Sequence, residues 1–170
     1  IEISPWADMV RFARSGGEAN SIAIRIARAA SGKDNVAICG YHGWHDWYLS
    51  ANHNKGDDLS NHLLEGLNPK GVPKNLKNTV YPFCYNNFEE LLSIVDNNDI
   101  GVIKMEVVRN FGPKDDFLVK VRDLATKRNI VLIFDECTSG FRETFGGIHK
   151  KYNVVPDMAM YGKTLGNGYA

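Results

Sequence analysis

The sequence predicts an α/β fold in which a mostly parallel sheet lies between two layers of helices. Short apolar segments alternate with amphipathic segments along the chain, which is the pattern of strands joined by crossover helices. Residues 130–134 form an uninterrupted apolar run, as expected for a strand that helices cover on both faces. With 170 residues and 44% hydrophobic content, the chain is long enough to form one such domain.

The first elements are predicted from residues 17–39. Apolar residues recur at the i, i+3, i+4 and i+7 positions over residues 17–30, which predicts a helix with one buried face that ends at Ser31-Gly32. Residues 36–39 then predict a short buried strand. Residues 50–78 are polar and have no clear period, and a connection of that length is typical of a functional loop or an insertion.

Strands and helices then alternate regularly. A strand at residues 79–83 precedes a helix that begins with the capping pair Asn87 and Glu90. The remaining predicted elements are a strand at residues 101–108, an amphipathic helix at 117–128, the apolar strand at 130–134 and a short strand at 158–161. Strands joined by helices imply right-handed crossovers, and ligands gather at the carboxyl ends of such strands.

Polar residues lie at, near or just after the ends of four predicted strands, so we expect them at one edge of the sheet. They are Tyr41-His42-Gly43, Glu106, Asp135 and Lys163. Asp135 ends the apolar run, where an unpaired carboxylate would be costly, so we expect a cation or a strong donor beside it. The simpler alternatives for Asp135 are a helix cap or an ion pair with Arg142.

Composition limits the partners. Twenty basic and twenty acidic residues cancel, so the chain has no electrostatic footprint for nucleic acid or for an anionic membrane, and a small molecule is the expected partner. Because these 170 residues contain no apolar run of membrane-spanning length and do not begin with a charged and then apolar segment, we expect neither a membrane span nor a signal segment within them. Cys39, Cys84 and Cys137 are odd in number and widely spaced in apolar surroundings, which predicts reduced core thiols and a cytoplasmic location.

The tripeptide Gly162-Lys163-Thr164 raises the alternative of a phosphate-binding P-loop. That motif requires a glycine five residues before Gly162, where this chain has Asp157, so a nucleotide site is disfavoured. Lys163 therefore needs another explanation.

An anion site is predicted at the start of the first helix. Ser15, Gly16 and Gly17 precede its apolar face, and glycines at a helix N-terminus let backbone N–H groups approach a phosphate. An ordinary serine cap is the alternative. Together, an anion site, an aromatic ring, a strand-end carboxylate and a strand-end lysine are the parts that pyridoxal phosphate requires, which predicts Lys163 as the covalent catalyst.

Four longer motifs resemble one known family. They are MVRFARSGGEAN from Met9, GYHGWHD from Gly40, VLIFDECTSGFRETFGG from Val131 and PDMAMYGKTLGNGYA from Pro156. Nearly the whole chain resembles the central part of the large domain of class III (subgroup II) pyridoxal-phosphate-dependent aminotransferases, most closely the glutamate-1-semialdehyde 2,1-aminomutases and their near relatives. The resemblance implies fold type I of these enzymes, with residues 1–170 forming part of the cofactor-binding large domain.

The resemblance also implies roles for individual residues. Lys163 is implied to bind the cofactor through a Schiff base and to move protons, and Asp135 is implied to pair with the pyridine nitrogen. The other residues implied to contact the cofactor or support the site are Ser15, Gly16, Gly17, Tyr41, His42, Glu106 and Cys137. Members of the family work as homodimers with the active site at the subunit interface.

This chain departs from the family pattern at three of these positions. Gly17 stands where a hydroxyl residue is usual, Val107 stands where a proline usually follows Glu106, and Cys137 replaces an aliphatic residue. The chain also lacks an initiator methionine and ends at Ala170, so we expect a piece of a larger protein without its N-terminal segment and C-terminal small domain.

Two rival functions remain open at this stage. His42, His45, Asp46 and His53 are metal-ligand types, which raises a metal hydrolase as an alternative, although neighbouring tryptophans favour an aromatic cluster. The chain is alternatively a non-catalytic fragment or an interaction domain with the same fold. The substrate, and the choice between a transaminase and an aminomutase, stay open.

Overall fold

A parallel sheet organises the protein. The computed structural model describes residues 2–55, 59–60, 67–108 and 110–168. The strands of this part of the chain are β1 (Asn35–Cys39), β2 (Val80–Pro82), β3 (Ile100–Glu106), β4 (Val131–Asp135) and β5 (Met158–Met160). All neighbours in this described sheet pair in parallel, in the order β2-β1-β3-β4-β5.

Helices connect the strands. The α-helices of the described residues are α1 (Gly16–Ser31), α2 (Asp46–Leu49), α3 (Asn52–Lys55), α4 (Phe88–Asn97) and α5 (Phe117–Lys127). Short 3₁₀ helices lie at Lys74–Leu76, Ile148–Tyr152 and Lys163–Leu165. Among the described residues, no helix is long and apolar enough to cross a membrane.

The sheet is covered on both faces. Helix α1 packs its buried residues, such as Ile24, on the face formed by Ile38 and Ile133. Helices α4 and α5 pack on the opposite face, where Met105 and Phe134 lie. Because side chains alternate between faces along a strand, each central strand contributes to both cores. The predicted three-layer α/β/α arrangement with a parallel sheet is confirmed.

Capping determines where the helices begin and end. The Ser15 hydroxyl accepts a hydrogen bond from the Glu18 amide, and Gly32 ends α1 in the left-handed conformation. The Asn87 side chain accepts from the Glu90 amide at the start of α4. The Glu90 carboxylate accepts from the amide of Cys84 at 2.7 Å, which differs from the reciprocal capping box that the sequence predicts.

Two predictions about elements and one about cysteine burial need correction. Strand β3 ends at Glu106, two residues before the predicted end, because its last partner in β4 is Asp135. The connection at 50–78 includes α3 and a 3₁₀ helix, while its residues 56–58 and 61–66 lie outside the described part. The prediction of three core thiols holds for Cys39 alone of the three, because Cys84 is exposed in the turn after β2 and Cys137 is half-buried.

Candidate active site

The polar segments that follow the strands meet at the carboxyl edge of the sheet. Glu106 and Asp135 are direct partners in the register of β3 and β4. The loop after β1 brings His42 to Asp135, and the turn after β5 carries Lys163. Parallel strands place all their carboxyl ends at one edge, which is why residues far apart in sequence come together here.

Asp135 is a buried carboxylate of this edge and is 3% exposed. Its Oδ2 lies 2.9 Å from Nδ1 of His42 and 3.5 Å from Nζ of Lys104. Its Oδ1 accepts a hydrogen bond from the amide of Cys137 at 3.1 Å. Burial alone would raise the pKa of Asp135, but the Lys104 ammonium and the His42 hydrogen bond outweigh it and hold that pKa well below its usual range.

The cation or strong donor expected beside Asp135 is therefore present, in the form of Lys104 and His42. The alternative ion pair with Arg142 is wrong, because the Arg142 Nε donates to the backbone oxygen of Thr138 at 2.6 Å.

His42 is fully buried and joins the loop after β1 to the sheet edge. Its Nε2 lies 3.1 Å from the backbone oxygen of Cys39, and its Nδ1 faces Asp135. The ring also stacks on Trp47 at a centroid distance of 6.4 Å. Burial, and next the Lys104 ammonium, lower the pKa of His42, whereas Asp135 opposes that shift. These contacts fix the orientation of both the imidazole ring and the carboxylate.

Glu106 anchors the same loop from β3. Its Oε2 accepts a hydrogen bond from the amide of Tyr41 at 3.1 Å. The Tyr41 ring is half-buried and packs edge-on against Tyr48, with centroids 5.9 Å apart. A Cβ atom at Gly40 would lie 2.5 Å from Oε2 of Glu106, so glycine is required at this position. Glu106 therefore positions Tyr41 through the backbone.

The start of α1 offers unused backbone donors. Ser15 satisfies two amides of the first turn, those of Glu18 and Ala19. The first N–H groups of a helix have no intrahelical acceptor, and in the described part of the chain no other bond is found for the amides of Gly16 and Gly17. The serine cap and the anion site are therefore compatible, because they use different amides.

Lys163 lies on the turn after β5. It begins a 3₁₀ helix in the left-handed conformation with φ 45°, and its Nζ donates to the hydroxyl of Thr138 at 2.7 Å. Cys137 packs under this turn, since a Cβ atom at Gly162 would lie 2.5 Å from its Sγ. An ordinary residue held in this conformation carries strain, which is typical of functional turns.

Sequence reasoning missed two side chains of this edge. Thr138 holds the Lys163 amine, and Lys104 lies beside Asp135 although β3 is otherwise almost entirely apolar. A signal for Lys104 existed, because a charged residue two positions before Glu106 must share its face of the sheet. Thr138 had no such signal, since its position follows from the turn after β4.

The structure does not support a metal site at the candidate ligands His42, His45, Asp46 and His53. His42 bonds Asp135, His45 bonds the Ser21 hydroxyl at 2.8 Å, and His53 faces the backbone oxygen of Val72. Within the ranges that the structure describes, no group of three or more candidate ligands is found.

Known proteins similar to this chain include aminotransferases and aminomutases. A family profile described as "Aminotransferase class-III" matches residues 1–170. The 3-aminobutyryl-CoA aminotransferase of Cloacimonas acidaminovorans is 37% identical over 177 residues, covering 99% of this chain and 39% of that protein. The glutamate-1-semialdehyde 2,1-aminomutase of Methanobrevibacter smithii is 40% identical over 176 residues, covering 99% of this chain and 40% of that protein.

A solved structure shares the fold. An omega-transaminase from Sphaerobacter thermophilus superposes with a TM-score of 0.82 at 26% identity, covering 98% of this chain and 40% of that chain. The chain thus spans about two fifths of the length of the relatives it matches.

Proposed function

Because the chain belongs to the class-III aminotransferase family, we propose that the full-length protein transfers amino groups with pyridoxal phosphate as its cofactor. The observation that carries the proposal is the buried, ionised Asp135 at the sheet edge. A carboxylate offers about four lone-pair positions, and three donors occupy Asp135 among the described atoms. One lone-pair position of the Asp135 carboxylate therefore remains, and it can accept a hydrogen bond from the protonated ring nitrogen of this cofactor.

The remaining site residues also fit the cofactor. The amides of Gly16 and Gly17 at the start of α1 suit its phosphate, since a helix N-terminus favours an anion. Tyr41 and Cys137 lie on the two loops that flank Asp135 and are assigned to the faces of the ring. When bound, the cofactor supplies an electron-poor ring that stabilises negative charge on the substrate carbon next to nitrogen.

The side chains of the site would have different roles once the cofactor is bound. Asp135 would keep the ring nitrogen protonated, and His42 with the Cys137 amide holds that carboxylate in one orientation. Lys163 would bind the cofactor aldehyde and would transfer protons at its Nζ, and the Thr138 hydroxyl holds this amine in place. Glu106 keeps Tyr41 at the edge of the sheet.

Reductive trapping tests the assignment of Lys163. We expect borohydride treatment of the full-length protein with pyridoxal phosphate to attach a pyridoxyl group to the peptide that contains Lys163. Lys104 is the alternative to exclude, because its amine lies 3.5 Å from Asp135. An adduct on Lys104, or an undiminished adduct in the Lys163→Ala variant, would contradict the proposal.

The reaction type separates into two candidates. One relative is an aminotransferase and another is an aminomutase that acts on glutamate-1-semialdehyde, so we propose a small amino compound as substrate. Candidate donors should be assayed with and without a keto acid, using ¹⁵N-labelled amino groups. A transaminase needs the keto acid and passes the label to it, whereas an aminomutase turns over without it and keeps the label.

Assembly and location belong to the same proposal. We propose a homodimer, as the family resemblance implies, and a cytoplasmic location, which the free cysteines Cys39, Cys84 and Cys137 support. Light scattering of the full-length protein tests the homodimer. A fully active protein that light scattering shows to be a monomer would contradict the proposed homodimer.

A further inference from the structure

Lys104 is a fully buried lysine in the middle of β3. Its register partners in the two neighbouring strands are Ile38 and Ile133, and both are buried. An ammonium group in such an apolar layer is costly unless a partner compensates its charge. The group must therefore either be paired with an anion or lose its proton.

Among the residues that the structure describes, Asp135 is the carboxylate paired with Lys104. The Nζ of Lys104 lies 3.5 Å from Oδ2 of Asp135 and 3.1 Å from Sδ of Met160, which is a weak acceptor. The titratable groups that act on it are Asp135, Cys137 and Glu106, and His42 bonds the same oxygen of Asp135. Burial lowers the pKa of Lys104, and the negative charge of Asp135 opposes that shift.

Asp135 is also the carboxylate that the proposed function assigns to a cationic ring nitrogen. Lys104 and that nitrogen would then be two cations on one buried carboxylate. Like charges at such a site disfavour each other's charged form. Lys104 is the partner that can lose its charge, because a lysine amine buried in apolar surroundings deprotonates readily.

We infer that Lys104 is the counterion of Asp135 while the cofactor site is empty, and that Lys104 releases its proton when a cationic ring nitrogen binds Asp135. The inference rests on the proposed function. In this step one N–H bond of the ammonium breaks, its electron pair stays on Nζ and the proton passes to water. Lys104 is thus a positioning residue that holds Asp135 ionised before the cofactor arrives.

Proton counting tests this inference in the full-length protein. The probe is pyridoxine 5′-phosphate, which has the ring nitrogen and the phosphate but no aldehyde, so Lys163 takes no covalent part. Calorimetry in buffers of different ionisation enthalpy counts the protons released for each probe bound. We expect the wild type to release up to one more proton than Lys104→Met, and Lys127→Met to match the wild type because Lys127 is exposed.

A second variant keeps the inference falsifiable if Lys104→Met does not fold. Lys104→Arg keeps a charge that cannot be removed, because a guanidinium does not deprotonate in proteins. We expect this variant to bind the probe at least tenfold more weakly than the wild type and to release fewer protons. Equal proton release by the wild type and either folded variant would overturn the inference. If the wild type does not bind the probe at all, the proposed function fails instead.

Discussion

Among individual residues, Asp135 links the stability of the protein to pH. Its folded-state pKa lies below the usual value of about 4, so the unfolded chain binds more protons between these two values. The stabilisation from Asp135 is therefore present above the unfolded pKa and is lost as the pH falls through the folded one. Lys104 acts in the same direction at alkaline pH. Its pKa is lower in the folded chain than in the unfolded chain, so stability rises as the pH increases from the folded-state pKa to the unfolded-state pKa.

This linkage predicts the behaviour of Asp135→Asn. The variant leaves Lys104 buried without its carboxylate, so we expect the free energy of unfolding at neutral pH to fall by about 3–5 kcal/mol. Its stability should also change less between pH 6 and pH 3 than that of the wild type. Urea unfolding at both pH values measures this, with the exposed Asp123→Asn as the control. Parallel pH curves for the wild type and Asp135→Asn would exclude the ionised pair.

Turnover provides a separate prediction for the same residue. In the full-length protein, Asp135→Ala should lower turnover by several orders of magnitude, because the ring nitrogen loses the group that keeps it protonated. Asp135→Glu keeps the charge and should be milder. Steady-state kinetics with saturating cofactor measure both variants. Turnover of Asp135→Ala near the wild-type value would remove Asp135 from the proposed mechanism.

The positions of some site residues could be predicted from the sequence, whereas their side-chain contacts could not. The location of Asp135 and Lys163 at the carboxyl edge was predictable, because strand polarity places both there. The pairing of Asp135 with Lys104 required knowledge of strand register, since Lys104 faces Asp135 only through the alignment of β3 with β4. The bond from Lys163 to Thr138 depends on an irregular turn, which hydrophobic periodicity does not describe.

At the element scale, the regular helices and strands follow from local patterns. Helix α1 matches its predicted bounds within one residue at each end, because periodicity, a serine cap and a terminal glycine agree. Strand β3 continued in the prediction to residue 108, since Val107 and Val108 are apolar like the strand itself. Apolar character cannot mark the end of a strand that is set by its last hydrogen-bonded partner.

The turn after β1 gives a test at this scale. Gly40 has φ 107° and lies against the Glu106 side chain, whereas Gly32 has φ 68° with no atom within 4 Å of an added Cβ. We expect Gly32→Ala to cost roughly 1 kcal/mol for its left-handed conformation alone. Gly40→Ala should cost more, because its Cβ also displaces Glu106. Denaturant unfolding of both variants measures the difference, and equal costs would show that the Glu106 contact is unimportant.

Considering the whole molecule, several large apolar side chains of the described residues are exposed to solvent. Met9 and Phe12, which precede α1, are 88% and 89% exposed. The sequence pattern shows that Met9 and Phe12 are apolar. It does not show which surface packs against them, because that depends on contacts with residues distant in sequence or on another chain.

The last prediction concerns residues 1–170 expressed alone. Exposed apolar side chains favour association, so we expect this piece to self-associate and to bind pyridoxal phosphate weakly. Light scattering should show less association for the Met9→Ser, Phe12→Ser double variant, while Val119→Ser, on the surface of α5, should change little. A ligand stabilises only the folded site that it recognises, so a thermal shift with the cofactor reports that binding. Tight, stoichiometric binding by a fully active monomer would show that the described residues form a complete site by themselves.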